Sequence, residues 1–363
     1  MTEPTTRAPE RVPVRDALVD VTPYGAPQLD VPVRLNTNET AEPPPAGYLE
    51  EVGRRIQGLE LNRYPDRPHR ALRQALASRL ALTPEQVWAA NGSNEILLQL
   101  LQAYGGPGRK AMHFAPGYSM YPELCRTAMT DDVVVELTDA FELPADLAAE
   151  AVATNDPDVV LVPSPNNPVG NAVAPEAIRA LHDGSRALII VDEAYVEFDP
   201  EVSVLKLLGE LPRLVVVRTF SKAFRLAGLR LGYLAAAAWV VEDVQKVRLP
   251  YHLDAIKQVA ALVALEHEDE FLEHRARVAA ERTRLAEALS ARGDVEVFAS
   301  SANFLLLRSQ ADNLFKRLLE QGVLVRDFSS RHRLAGCVRV TVGTEEENNA
   351  FLNALDTVMS AGA

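Results

Sequence analysis

The stretch VVVRTFSKAFRLAGLRLG, Val215–Gly232, runs from three valines through an arginine and two hydroxyl residues to a single lysine, then breaks up on glycines. Short, β-branched runs that are apolar throughout read as buried strands, and the glycines mark the loop that follows. Lys222 therefore stands at the carboxyl end of a buried strand. The chain holds only six lysines, against 37 lysines and arginines together. Lys206, Lys246, Lys257 and Lys316 fall in amphipathic helical patterns, where a solvated lysine is ordinary, and Lys110 precedes a strand. Only Lys222 occupies a strand end of the kind where open α/β sheets bind ligands.

Two further runs upstream have the same character. PDVVLVPSP (Pro157–Pro165) and RALIIVDEAY (Arg186–Tyr195) read as buried strands, so with PRLVVVRTFSK (Pro212–Lys222) they form a series. Helical patterns separate them, APEAIRALHDG (Ala174–Gly184) and SVLKLLGEL (Ser203–Leu211). Strand–helix alternation predicts an α/β fold with a mostly parallel sheet flanked by helices. From Asp254 to Gly293 the sequence reads as one long helical segment. The strand candidates VEVFAS (295–300), NFLLLR (303–308), GVLVRDF (322–328) and CVRVTVG (337–343) follow, then a last helix over 345–359. This pattern predicts a smaller α+β C-terminal domain. The expected division is an N-terminal arm over 1–40 that packs with the small domain, a large domain over 41–250 and a small domain over 251–363.

Composition narrows the function classes. The 363 residues are 47% hydrophobic and 24% charged, as in an ordinary globular protein. A net charge of −13 argues against a nucleic-acid partner or an anionic membrane surface. Cys125 and Cys337 stand far apart, the histidines lack metal-ligand spacing, and no metal is expected. Neither a signal-like nor a membrane-length apolar run is present, so a cytoplasmic protein is expected.

The polar residues at the strand ends form a chemical set. Asp192 ends ALIIV with Tyr195 three residues on, and Asn167 follows DVVLVPSPN. Pyridoxal phosphate catalysis needs a lysine to form a Schiff base with the cofactor aldehyde and a carboxylate to hold the pyridinium proton. It also needs donors to the ring oxygen and a seat for a dianionic phosphate. Gly92, Ser93 and Asn94, in AANGSNEILLQLLQAYG, open an amphipathic helix and suit that seat, with Thr219, Ser221 and Arg230 beside the lysine.

With these residues in view, the sequence resembles the fold-type I, class II pyridoxal-phosphate aminotransferases, and among them the histidinol-phosphate aminotransferases. The likeness runs over nearly the whole chain, through LNTNE, NRYPD, GSNE, PGYSMY, SPNNPVG, VDEAY, TFSKAFRLAGLRLGY and VRVTVG in that order. It implies that Lys222 binds the cofactor and moves the proton, and that Asp192 pairs with the ring nitrogen. It implies that Asn167 and Tyr195 bond the ring oxygen, that Tyr118 stacks on the ring, and that Ser93, Asn94, Thr219, Ser221 and Arg230 hold the phosphate. Tyr64 is expected to reach the cofactor of a neighbouring subunit, which makes the active unit a homodimer. Arg339 is expected to grip the substrate carboxylate.

The resemblance further implies transamination of histidinol phosphate with 2-oxoglutarate, by ping-pong exchange through Lys222. Histidinol phosphate has a phosphate ester where other substrates have an α-carboxylate, and a dianion can accept two arginine forks. Arg326 is the expected second fork, with Arg331 and Arg333 as alternatives, and Asn167 also borders the substrate. Tyr24 resembles the tyrosine that closes over substrate, and Asn36, Asn38 and Glu39 are expected to organise the entry segment, although an N-terminal turn would account for them too. His252 is expected to be structural. An aromatic-amino-acid aminotransferase would share every cofactor residue, and a threonine-phosphate decarboxylase would share the need for arginines. Both remain open at this point.

Overall fold

In the computed structural model, residues 12–23 and 25–360 are described. A two-residue strand, β1 (Val33–Arg34), precedes seven strands that form one sheet: β2 (Val87–Ala90), β3 (Lys110–Ala115), β4 (Asp131–Glu136), β5 (Val159–Pro163), β6 (Leu188–Asp192), β7 (Leu214–Thr219) and β8 (Gly232–Ala236). Their order is β2-β8-β7-β6-β5-β3-β4. Only β8 runs antiparallel to its neighbours in this sheet.

Side-chain alternation explains why the three diagnostic runs are apolar throughout. Ile189 and Val191 of β6, with Leu214 and Val216 of β7, enter one core cluster. Leu188 and Ile190, with Val215 and Val217, enter another that contains Trp88, Leu97 and Tyr121. Successive side chains of a strand point to opposite faces, so the sheet is covered on both sides and neither face can be polar. At the sheet edge, β4 instead alternates between exposed and half-buried positions.

The C-terminal part builds a second, antiparallel sheet. It contains β9 (Val295–Val297), β10 (Phe304–Ser309), β12 (Arg326–Asp327) and β13 (Cys337–Thr341), in the order β12-β13-β10-β9. The run GVLVRDF, expected as one strand, divides at Val325. Its first half, β11 (Val323–Leu324), pairs in parallel with β1. Its second half is β12, antiparallel to β13. The N-terminal segment is thereby tied to the C-terminal part of the chain.

Two helical expectations are corrected. Ser203–Leu211 forms only a 3-10 stretch over Leu205–Gly209, because Gly209 and Pro212 leave no room for a longer helix. The long segment from Asp254 breaks into Ala255–Glu266, Glu268–Leu272 and Arg275–Ser290. One straight helix presents a single stripe, whereas this segment serves two cores. Ala260, Val263 and Phe271 pack with Tyr48 and Leu72, while Leu285 and Leu289 pack with Phe351. Leu253 and Ala260, after position 250, thus share a core with Tyr48 and Leu72 before it. No helix among the described residues is long and apolar enough to cross a membrane.

Candidate active site

The carboxyl ends of β2, β5, β6 and β7 converge on a cavity of about 350 Å³. Beyond β2, Gly92 turns with φ +89° into the helix Ser93–Tyr104. The first amides of a helix have no intrahelical acceptor and suit an anion. Glu95, in this first turn, is engaged elsewhere: its carboxylate accepts the Asn91 amide at 2.8 Å and the Gln99 side chain at 3.0 Å. Facing the turn, the Thr219 and Ser221 hydroxyls lie 3.0 Å apart, and Arg230 Nη1 donates to Ser221 Oγ at 3.2 Å.

Glycine permits this close approach. A Cβ on Gly92 would meet Arg230 Nη2 at 3.0 Å, and one on Gly232 would meet the Ser93 amide nitrogen at 2.4 Å. Gly232→Ala should cost about 1–3 kcal/mol of stability, as overpacking does, and weaken retention of a phosphate-bearing ligand. Thermal melts and equilibrium dialysis check this, and unchanged retention would show that the helix start is not the seat.

Asp192 lines the same cavity. It is buried, and its Oδ1 atom has no hydrogen-bond partner. Burial pushes its carboxyl up to about 7, only partly offset by the Ala194 amide. Such an acceptor suits a cationic N–H arriving with a ligand. The Tyr195 hydroxyl accepts from Asn38 Nδ2 at 3.0 Å and from Asn167 Nδ2 at 3.4 Å. The Tyr118 hydroxyl reaches Asn94 Oδ1 at 3.2 Å, so its ring borders the cavity.

Lys222 lies three residues past β7, between the buried Ser221 and Ala223. Its ammonium donates to the Thr37 carbonyl at 2.9 Å and stands 5.7 Å from the Tyr195 ring centroid. Burial brings its pKa down to about 7, helped by Arg339 and Arg230 and opposed by Glu39. Near neutral pH a large fraction of this amine is unprotonated and nucleophilic.

The segment Asn36–Thr40 ties these groups together. Arg339 Nη2 donates to the Asn36 carbonyl at 2.7 Å, and the Thr40 hydroxyl donates to the Lys222 carbonyl at 2.8 Å. Asn36, Asn38 and Glu39 of LNTNE line the cavity together with Thr37. The role of the Thr37 carbonyl was not legible in the sequence, because a main-chain acceptor leaves no mark on residue identity.

Arg339 also donates to Asn167 Oδ1, and both line the cavity with Arg326. Arg326 and Arg339 stand directly opposite each other across the β12–β13 pair. Of the alternatives, Arg333 is held away, donating to the Thr138 carbonyl at 2.7 Å and to Asp139 at 3.2 Å. Arg331 is exposed and does not line the cavity. Tyr64 is 79% exposed, stacks on Tyr251 at 4.2 Å and does not border its own chain's cavity. Tyr24 lies outside the described residues. His252 Nε2 contacts the Ala89 carbonyl at 2.9 Å and its ring stacks on Trp88, away from the cavity. Among the described residues no group of three or more His, Cys, Asp or Glu could hold a metal ion.

Pyridoxal phosphate fits this set. The partnerless Asp192 oxygen matches its ring N–H, the glycine-lined helix start with two hydroxyls and Arg230 matches its phosphate, and Lys222 lines the same cavity. Residues 31–355 match the family described as aminotransferase class I and II. The histidinol-phosphate aminotransferase of Mycobacterium avium (strain 104) is 47% identical over 354 residues, 94% of this chain and 88% of that one. Its counterpart in Thermobifida fusca (strain YX) is 48% identical over 354 residues and 95% of both chains. The crystal structure of histidinol-phosphate aminotransferase from Sinorhizobium meliloti in complex with pyridoxal-5'-phosphate shares the fold, with a TM-score of 0.82 at 24% identity over 92% of each chain. The chain belongs to the class I and II aminotransferases and, within them, to the histidinol-phosphate aminotransferase family, with pyridoxal 5'-phosphate as its cofactor.

Proposed function

We propose that the protein transfers the amino group of L-histidinol phosphate to 2-oxoglutarate, a step of histidine biosynthesis, in two half-reactions at one site. The observation that carries this reading is the register of Arg326 against Arg339. Like charges directly opposite on neighbouring strands repel. A dianionic phosphate ester between them accepts both forks and offsets that repulsion. The α-carboxylate of an aromatic amino acid carries one charge and needs one fork.

The bound cofactor supplies the aldehyde carbon and the electron-withdrawing ring. Asp192 keeps a proton on the ring nitrogen, and Asn167 and Tyr195 hydrogen-bond the ring oxygen. Tyr118 covers the ring face, and Ser93, Asn94, Thr219, Ser221 and Arg230 seat the phosphate. Lys222, as a neutral amine, would take the proton from the substrate α-carbon and deliver it to the carbon that enters as the cofactor aldehyde. Arg326 and Arg339 orient the substrate by its phosphate.

Mixing the holoenzyme separately with histidinol phosphate, phenylalanine and threonine phosphate tests this reading. Single-turnover conversion of the visible absorption by histidinol phosphate alone supports it. A faster response to phenylalanine makes the enzyme an aromatic aminotransferase, and release of carbon dioxide from threonine phosphate makes it a decarboxylase. Arg326→Ala should raise KM for histidinol phosphate by about tenfold or more, with a much smaller change for glutamate. Steady-state kinetics with each substrate decide this, and equal losses would remove Arg326 from the phosphate.

The active unit in this reading is a homodimer, in which Tyr64 reaches the partner's cofactor phosphate. Exposure of Leu61, Tyr64 and Leu249, with Tyr251 stacked on Tyr64, supports it.

A further inference from the structure

Glu193 and Arg218 are buried side chains that no step above uses. Glu193 follows Asp192, and Arg218 precedes Thr219. Strand alternation sends Asp192 and Thr219 to the face of Ile190 and Val217, and sends Glu193 and Arg218 to the other. The two strands are joined at this level, since the Glu193 amide donates to the Val217 carbonyl at 2.8 Å. Across them, Arg218 Nε donates to Glu193 Oε2 at 3.0 Å and Nη2 lies 2.8 Å from the same oxygen.

The pair is sealed on its outer side. The Val204 amide donates to Glu193 Oε1 at 2.7 Å, the Ser203 hydroxyl lies 3.0 Å from Oε2, and Arg218 Nη2 donates to Ser203 Oγ at 2.9 Å. A surface ion pair would gain little, and a buried one is costly unless its polar atoms find partners, as Ser203 and Val204 supply to Glu193 here. What the pair joins is informative: one strand end carries Asp192, and the other carries Thr219, Ser221 and Lys222.

We propose that Glu193 and Arg218 are positioning residues for the cofactor, holding Asp192 at a set distance from the phosphate seat and setting the charge that Asp192 senses from behind. This rests on the roles assigned above to Asp192 and Thr219. The Glu193 charge adds to burial in raising the Asp192 carboxyl. The Tyr121 hydroxyl also faces Asp192, Tyr118 and Tyr195 face Tyr121, and Tyr118, Tyr195, Lys222, Glu39, Arg230, Arg326 and Arg339 line the same cavity. Glu193 thus works in one direction through charge, and the Arg218 fork works through geometry.

The test compares Glu193→Gln and Arg218→Lys with the unaltered full chain. Three quantities are read: the dissociation constant of pyridoxal phosphate by equilibrium dialysis, the melting temperature, and the pH titration of the Asp192 carboxyl. The titration uses carbon-13-labelled aspartate in cofactor-free protein, with Asp192→Asn assigning the resonance. Both variants should weaken cofactor binding by about tenfold or more, since small misplacements of a reacting group are costly. Glu193→Gln should also move the Asp192 titration to lower pH, whereas Arg218→Lys, which keeps the charge and loses the fork, should leave it in place. If Glu193→Gln does not fold, Ser203→Ala loosens the same pair and should weaken cofactor binding in the same direction. A lower melting temperature with unchanged binding and titration would make the pair merely structural and overturn the proposal. If Asp192→Asn itself leaves the single-turnover rates unchanged, the assignment of Asp192 falls first.

Discussion

Lys222→Ala is expected to lower turnover by about 10⁴-fold or more, with the melting temperature of the cofactor-free protein unchanged or slightly raised. Two losses coincide in this one side chain under the proposed reading. Its amine would be the attachment point of the cofactor aldehyde, and it would carry the proton to and from the substrate α-carbon. General-base removal alone is worth about 10²–10⁴-fold, and loss of the nucleophile adds to it. The fold should tolerate the change, because the lysine side chain lines the cavity, where among the described residues its ammonium donates to the Thr37 carbonyl. Burial of an amine whose pKa is brought down to about 7 also costs stability wherever the unfolded chain would hold that proton. That cost is present below pH 10 and fades as pH rises toward the unfolded value, so the variant should gain relative stability at pH 7 rather than lose it. Turnover by stopped-flow and melting curves at pH 7 and 10 check both parts. Wild-type turnover in Lys222→Ala would end the reading of this cavity as a transaminase site.

Asp192→Asn is expected to lower the rate of both half-reactions by about 10²–10³-fold, the range seen when one preorganised electrostatic group is removed from an active site. The shape is preserved and only the charge is lost. An amide oxygen at the partnerless Oδ1 position can still accept a hydrogen bond, but it cannot hold a proton on the ring nitrogen. The electron-withdrawing power of the ring then falls for every substrate. Histidinol phosphate and glutamate should therefore suffer alike, in contrast to Arg326→Ala, where they separate. Single-turnover rates with both substrates decide it, and a loss confined to one would mean that Asp192 touches substrate instead.

Much of this was legible from residue order. The runs at 159–163, 188–192 and 214–219 are continuous and branched, which only a sheet covered on both faces accommodates, and the structure makes them adjacent strands. Gly92 before Ser93 and Asn94 marks a helix start on a positive φ, again a local matter. Local rules failed where tertiary packing intervened. GVLVRDF has the pattern of one strand, yet β1 takes its first half and β13 its second. The helical segment from Asp254 follows one periodicity but serves two cores, so it breaks.

By itself, the sequence determined the α/β class, the strand ends that carry Asn167, Asp192 and Lys222, and the kind of chemistry such a set can perform. Only the tertiary structure decided that Arg326 rather than Arg333 faces the cavity, that Lys222 meets the Thr37 carbonyl, and that Glu193 and Arg218 lock two strand ends from behind. The reason is separation along the chain. Propensity and turn chemistry act over a few residues, whereas Lys222 and Thr37 are 185 positions apart and Arg339 and Asn36 are 303 apart. Contacts at that range follow from how layers pack, and a carbonyl that receives one is the same atom in every residue.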